Sequence, residues 1–432
     1  MKKSRKENYF DRIGIPSVLS WSYLGVMVFM IGNGIEIGWL SPYLKDNGLS
    51  IQQVSTLFSI YGLTVALSSW FAGVFFETFG AKRTMLLGSI FCVVGTVCFV
   101  SLGLSEMSYP ILLVTQAIKG FGYPLFVYAL ATWIAYRSPA EKLSTAYGWF
   151  WFVFSGGMSV LATFYSSWAI NQLGHINTLW TSLVFIISGT FFALVLNRDN
   201  FTPQSNNNGN TIENIKEVLK GLTILKDHPK LFIVCIIRII NTISQFAFPV
   251  YLPMYMISQG FTTTQWLSIW GTAFTSNILF VLIWGIVGDK IGCKRTIIWF
   301  GGVLTGVSCL LLFFAPQFVG ANYPVVIILG IIWGAGLGGY VPLDAMSANM
   351  VEKDKGAVMS VLNLGTGLSV LIGPAIVGLF INYIGASGVT WVIAILYFVG
   401  ALLTNFLDEP ERVPEIITKS DLIKTDTKEK IL

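Results

Sequence analysis

Charge is what this 432-residue chain has least of. Asp, Glu, Lys and Arg together make up 11% of it, against about a quarter in an average soluble domain. Those side chains normally cover a soluble surface, so their scarcity excludes an ordinary cytosolic enzyme, a nucleic-acid binder and a disordered chain. Histidine occurs only as His175 and His228, both outside the long apolar interiors. That leaves no material for a zinc site or an intramembrane histidine relay. The five cysteines have no metal-ligand spacing: Cys92, Cys98, Cys235 and Cys309 fall in apolar runs and Cys293 in a loop. Reduced thiols are expected there, and no metal or cofactor is expected at all.

Apolar residues fill the space that charge leaves, at 54% of the chain with a mean hydropathy of +0.69. Polar stretches are confined to a tail at 1–17, a linker at 198–229 and a second tail at 408–432. Between them lie apolar runs near 18–43, 52–76, 84–104, 109–136, 143–170 and 176–197. Six more follow near 230–257, 264–288, 296–316, 323–347, 356–383 and 388–407. Each has the length of a helical span, whereas a barrel strand needs about ten residues of alternating pattern. The reading is an all-α membrane protein with twelve transmembrane helices. The first run follows a basic tail and exceeds a signal-peptide core, so it reads as a retained span.

Orientation follows from the basic residues. With the N-terminus inside, 24 of the 27 Lys and Arg fall on cytoplasmic segments. Lys45 alone lies outside, and Lys119 and Arg238 fall within spans. This asymmetry predicts both termini in the cytoplasm. It also accounts for the net charge of +5 without a nucleic-acid partner.

An internal repeat organises the twelve runs. The loop after the second run carries Gly73, Glu77, Gly80, Lys82 and Arg83; the loop after the eighth carries Gly285, Asp289, Gly292, Lys294 and Arg295. Every matching pair is 212 residues apart. Glu141-Lys142 and Asp354-Lys355 recur at nearly the same offset. The chain therefore reads as two six-helix halves, 18–197 and 230–407, joined by the Asn-rich linker, an arrangement found in transporters built from parallel repeats.

Four ionisable residues break the apolar runs: Glu36, Lys119, Arg238 and Asp344, in the first, fourth, seventh and tenth. Each costs a few kcal/mol to insert, so each should face a cavity or a partner. Glu36 and Lys119 lie at compatible depths for an ion pair, and Asp344 sits near the end of its run. Polar residues keep helical spacing around them: Asn33 beside Glu36, Gln116 and Tyr123 beside Lys119, Asn241 and Gln245 beside Arg238, Trp333 and Tyr340 beside Asp344. Trp149, Trp151 and Ser155 in the fifth run, Trp270 and Asn277 in the eighth and Asn363 in the eleventh extend the candidate lining. Amides and charges bind hydroxyls and aromatic faces cover C–H surface, an inventory suited to a small polyhydroxylated solute. The same residues also serve as helix-packing groups and interfacial anchors in many membrane proteins.

The repeated loop resembles the helix 2–3 signature of the major facilitator superfamily, with Glu77 where the usual acid is Asp. By that resemblance the loops form a cytoplasmic gate, the acid pairing with basic residues or capping a helix. The stretches Lys119-Gly-Phe-Gly-Tyr-Pro-Leu-Phe126, Tyr147-Gly-Trp-Phe-Trp151, Arg238-Ile-Ile-Asn-Thr-Ile-Ser244, Trp284-Gly-Ile-Val287 and Lys355-Gly-Ala-Val-Met-Ser360 through Gly373-Pro-Ala-Ile376 resemble the bacterial polyol permeases of that superfamily. The resemblance implies proton-coupled uptake of a pentitol such as ribitol or D-arabinitol across the plasma membrane, by a protein that usually works as a monomer. Two features depart from the superfamily pattern. Gln116 stands where an Arg is usual, four residues before Gly120, and Gly156-Gly157 lacks the Gly-Pro common in antiporters.

On this reading Glu36 is the proton-coupling acid. Apolar surroundings favour its neutral form and Lys119 its charged form, so an arriving solute can tip the balance. Asn33, Glu36, Gln116, Lys119, Tyr123, Trp151, Arg238, Asn241, Gln245, Asn277, Trp333, Tyr340 and Asn363 are the substrate-binding candidates. Two alternatives stand beside it: an organic-anion or sugar-acid porter gripping a carboxylate with Lys119 and Arg238, and a sensor that kept the fold.

Overall fold

The computed structural model describes residues 9–139, 142–199, 228–348, 350 and 355–407, and all of the regular structure among them is helical. The main elements are α1 (Ser20–Gly34), α2 (Leu40–Asp46), α3 (Ile51–Phe79), α4 (Ala81–Leu104), α5 (Tyr109–Arg137), α6 (143–173) and α7 (His175–Leu196). After the linker come α8 (Pro229–Ser258), α9 (Thr263–Ile291), α10 (Cys293–Val319), α11 (Tyr323–Gly338), α12 (Pro342–Ala348), α13 (355–384) and α14 (386–404). Among the described residues, ten segments are long and apolar enough to cross a membrane. One of them, Val361–Thr404, is a 44-residue run interrupted at Gly385, whose φ of +68° turns the chain between α13 and α14. Segment 143–173 is also helical but is not among the ten.

Local sequence explains the helix ends, and the ends repeat. α3 begins with a capping box: the Gln53 backbone N–H donates to Ser50 Oγ (3.2 Å), and the Ser50 N–H donates to Gln53 Oε1 (2.8 Å). α9 begins the same way with Thr262 and Gln265, at 3.1 and 2.9 Å. Each box satisfies two donors that a helix N-terminus otherwise leaves bare. Both pairs are 212 residues apart. So are Gly80 (φ +80°) and Gly292 (φ +106°), which end α3 and α9 in a backbone conformation that side chains disfavour. Gly48 and Gly260, just before the boxes, share positive φ values of 98° and 94°. Glu141 and Asp354, members of the second predicted correspondence, lie outside the described residues.

Small residues let the helices approach. A Cβ on Gly88 would meet the Gly122 carbonyl, binding α4 to α5, and one on Gly334 would meet Ala273, binding α11 to α9. The two halves of the chain touch in the same manner. Gly62 of α3 lies against the Val370 carbonyl of α13, Gly378 of α13 against Ser55, and Gly271 of α9 against the Phe164 ring of α6. Ser41 Oγ donates to the Val250 carbonyl and Ser167 Oγ to that of Thr264. All of these contacts lie toward the end where α3 and α9 begin, away from the repeated glycine loops.

Candidate functional site

The site is built where the first apolar run fails to stay helical. The sequence reads as one helix over 18–43, but the chain leaves helical form between α1 and α2, at residues 35–39, with Gly38 at φ +91°. Packing accounts for the break. Gly34 presses so closely on the Met158 carbonyl of α6 that a Cβ there would collide. The carbonyl of Ile35, released from the helix, accepts from Ser166 Oγ (2.7 Å) and Trp39 Nε1 (2.5 Å), so the interruption leaves no bare acceptor. Glu36 sits on this turn.

Lys119 meets it from α5. Its Nζ donates to Glu36 Oε2 at 2.5 Å, and the two side chains are 4% and 7% exposed. Glycines let the helix that carries Lys119 approach its neighbours: a Cβ on Gly95 would strike the Lys119 backbone, and one on Gly120 would strike Thr64. The Phe99 ring lies 6.0 Å from Nζ, within range of a cation–π attraction. Two charges buried this deeply hold each other in place, because removal of either leaves the other uncompensated.

Beside the pair lies a small cavity. Asn33, Glu36, Tyr61, Tyr123 and Ser159 line it from the first half of the chain, and Gln245, Pro249, Trp270 and Pro374 from the second. Phe58, Met158, Phe246 and Val370 supply apolar wall. Asn33 Nδ2 donates to the Tyr61 hydroxyl at 3.4 Å, and Asn33 Oδ1 is buried without a partner. Of the sequence candidates, Asn33, Glu36, Tyr123, Gln245 and Trp270 thus share one wall. Phe58, Tyr61, Met158, Ser159, Phe246, Pro249, Val370 and Pro374 belong to it without any polar pattern pointing to them.

The other candidates stand elsewhere. Arg238 is paired with Asp344, with side chains 15% and 39% exposed, and its Nε is buried without a partner. Its aliphatic stem packs where a Cβ on Gly365 would sit. Asn277 Nδ2 donates to the Gly334 carbonyl (3.2 Å), fastening α9 to α11. Trp333 Nε1 donates to Ser244 Oγ (3.2 Å), and the Tyr397 hydroxyl bonds both Ser244 Oγ (2.6 Å) and the Asn241 carbonyl (2.9 Å). Asn241 and Tyr340 are buried, and the Tyr340 hydroxyl has no partner. Gln116 Oε1 is likewise buried and unpartnered. Trp151 packs edge-on against Phe150 and Phe154, and Asn363 is half-buried on α13. Trp149 Nε1 donates to the Ile13 carbonyl (2.9 Å), holding the segment before α1.

In the repeated loops the lysines behave alike. Lys82 Nζ donates to the Asn197 carbonyl (2.6 Å) just past α7, and Lys294 Nζ to the Asn405 carbonyl (2.6 Å) just past α14. Each lysine therefore satisfies the C-terminal end of the last helix of its half. The carboxylates of Glu77 and Asp289 lie outside the described side chains. One further clamp has no counterpart in the sequence pattern: Arg137 at the end of α5 grips Asp199 with two bonds, at 2.6 and 2.5 Å.

A helical bundle of apolar segments around a central cavity, built from repeated halves with charges paired inside, is the architecture of a membrane transporter. The chain belongs to the Major Facilitator Superfamily, whose family model matches residues 22–276 and 234–429. It is 51% identical over 401 residues to a protein designated YoaB of Bacillus subtilis (strain 168), covering 93% of this chain and 96% of that one. It is 44% identical over 419 residues to the alpha-ketoglutarate permease of the same organism, covering 97% and 96%. The D-arabinitol and ribitol transporters of Klebsiella pneumoniae are 35% and 36% identical to it over 91% and 90% of this chain and 93% and 92% of theirs. Among solved structures, a D-xylose-proton symporter superposes with a TM-score of 0.72 at 14% identity, covering 91% of this chain and 98% of that one. That last likeness concerns the fold alone. The protein is a transporter-family member and not an enzyme.

Proposed function

We propose that the protein takes up a small polyol, a pentitol such as ribitol or D-arabinitol, together with protons. On this reading twelve spans cross the bacterial plasma membrane. Segment 143–173 is the fifth, and the break at Gly385 separates the eleventh from the twelfth. Both termini face the cytoplasm, and a monomer works by rocking its two halves around the cavity.

One observation carries the substrate class. The cavity wall offers amides, phenols, a hydroxyl and an indole, while both intramembrane cations are already held by carboxylates, Lys119 by Glu36 and Arg238 by Asp344. Such a wall binds hydroxyls and gives an anion no unpaired positive charge. The relatives named as D-arabinitol and ribitol transporters support the same class. Glu36 carries the proton, since it is the carboxyl that lines the cavity and its bond to Lys119 strengthens or weakens with its charge.

A second reading, an organic-anion porter, draws on the relative named alpha-ketoglutarate permease and on the unpartnered Nε of Arg238. Uptake into proteoliposomes with an imposed pH gradient separates the two. Labelled ribitol or D-arabinitol should accumulate, and excess unlabelled alpha-ketoglutarate should not compete. Accumulation of alpha-ketoglutarate with no pentitol uptake would replace the first reading by the second.

A further inference from the structure

Ten buried side-chain polar atoms among the described residues have no hydrogen-bond partner. Eight of them, Arg238 Nε and Gln116 Oε1 included, belong to residues that do not line the cavity. The remaining two, Asn33 Oδ1 and Trp270 Nε1, belong to residues that line it. One is an acceptor from the first half of the chain and the other a donor from the second. A buried group left without a partner costs about 1–3 kcal/mol, so folded proteins rarely keep such atoms without a use for them.

Both groups are held still. Asn33 is 3% exposed, and its amide nitrogen donates to the Tyr61 hydroxyl, which leaves Oδ1 as its unpartnered atom. Trp270 is 1% exposed, with its ring wedged among Trp266, Phe274 and Trp333 at centroid distances of 5.6, 5.1 and 5.2 Å. A donor or acceptor fixed in advance loses little entropy when a ligand completes it.

We propose that these two atoms are the specificity determinants of the cavity, with one hydroxyl of the solute donating to Asn33 Oδ1 and another accepting from Trp270 Nε1. The proposal rests on the polyol reading above and adds the atoms that enforce it. A polyol meets both demands because each hydroxyl can donate and accept. A carboxylate only accepts. It could satisfy Trp270, but it would turn its negative oxygens toward Asn33 Oδ1 and the neighbouring Glu36. Because the two groups come from opposite halves, a solute that completes both also ties the halves together.

The test uses the full-length protein in proteoliposomes, with ribitol, D-arabinitol and their singly deoxygenated analogues as probes in exchange counterflow. Trp270→Phe keeps an aromatic ring and removes the N–H. The expected KM for the pentitol rises about tenfold, the effect of losing one hydrogen bond to a fixed partner. One deoxy analogue should suffer the same loss with the unmodified protein and no further loss with Trp270→Phe. The deoxy series on the unmodified protein needs no variant to fold, so it decides the matter alone if Trp270→Phe misfolds. A KM within twofold of the original for Trp270→Phe, or equal recognition of every deoxy analogue by the unmodified protein, overturns the proposal and leaves the polyol reading standing. No pentitol exchange by the unmodified protein overturns both, and is seen before any substitution is made.

Discussion

Glu36 and Lys119, the ion pair of the first half, are 7% and 4% exposed; Asp344 and Arg238, the pair of the second, are 39% and 15% exposed. The scaffolds that carry them are alike. Capping boxes, positive-φ glycines and helix-capping lysines recur 212 residues apart, and the two lysines donate to the Asn197 and Asn405 carbonyls just past α7 and α14. The two halves keep their framework in common and differ in how deeply they hide their charges. A sealed pair has no water to fall back on, so its charge changes only if a proton or a solute reaches it. A more exposed pair is less tightly enclosed and loses less when one partner is removed. The proposed reading puts coupling in the first half, where the more deeply buried carboxyl also lines the cavity.

The difference in burial predicts a difference in stability. Lys119→Ala strands the Glu36 carboxylate and should destabilise the purified protein by about 3–5 kcal/mol in detergent unfolding. Arg238→Ala should cost less than half as much, because the Asp344 side chain is 39% exposed. Equal losses would erase the distinction between the two pairs. The smallest effects test the shared framework. Ser50→Ala and Thr262→Ala should each cost about 1 kcal/mol. A loss at one position only would mean that the two caps are not equivalent.

Much of the fold is legible in the amino-acid sequence. The apolar runs, the glycine loops at matched offsets and the four intramembrane charges are all contrasts against a lipid background, and contrast is what a sequence displays. Pairing Glu36 with Lys119 needs only their depths along the first and fourth apolar runs. Other features offer no contrast. Tyr61, Phe58 and Met158 line the cavity, but an apolar side chain facing a cavity and one facing lipid look the same in a helix that is apolar all round. The break at residues 35–39 leaves a single trace, Gly38, because its cause is the approach of Gly34 to α6. The polar groups of Asn277 and Trp333 mislead in the opposite direction. They read as cavity lining, and the structure uses them to bond one helix to the next. The capping-box repeat is present in the letters, as Ser50–Gln53 and Thr262–Gln265, but it is overshadowed by the stronger Lys-Arg loops.

The coupling role of Glu36 is the central claim, and one comparison tests it most directly: pentitol accumulation against exchange in proteoliposomes containing Glu36→Gln. Gln keeps the size and the acceptor oxygen facing Lys119 but cannot give up a proton at the cavity. The account predicts that accumulation driven by an inward pH gradient disappears, while exchange of labelled for unlabelled pentitol persists within about tenfold of the original rate. Accumulation that survives the substitution would contradict it.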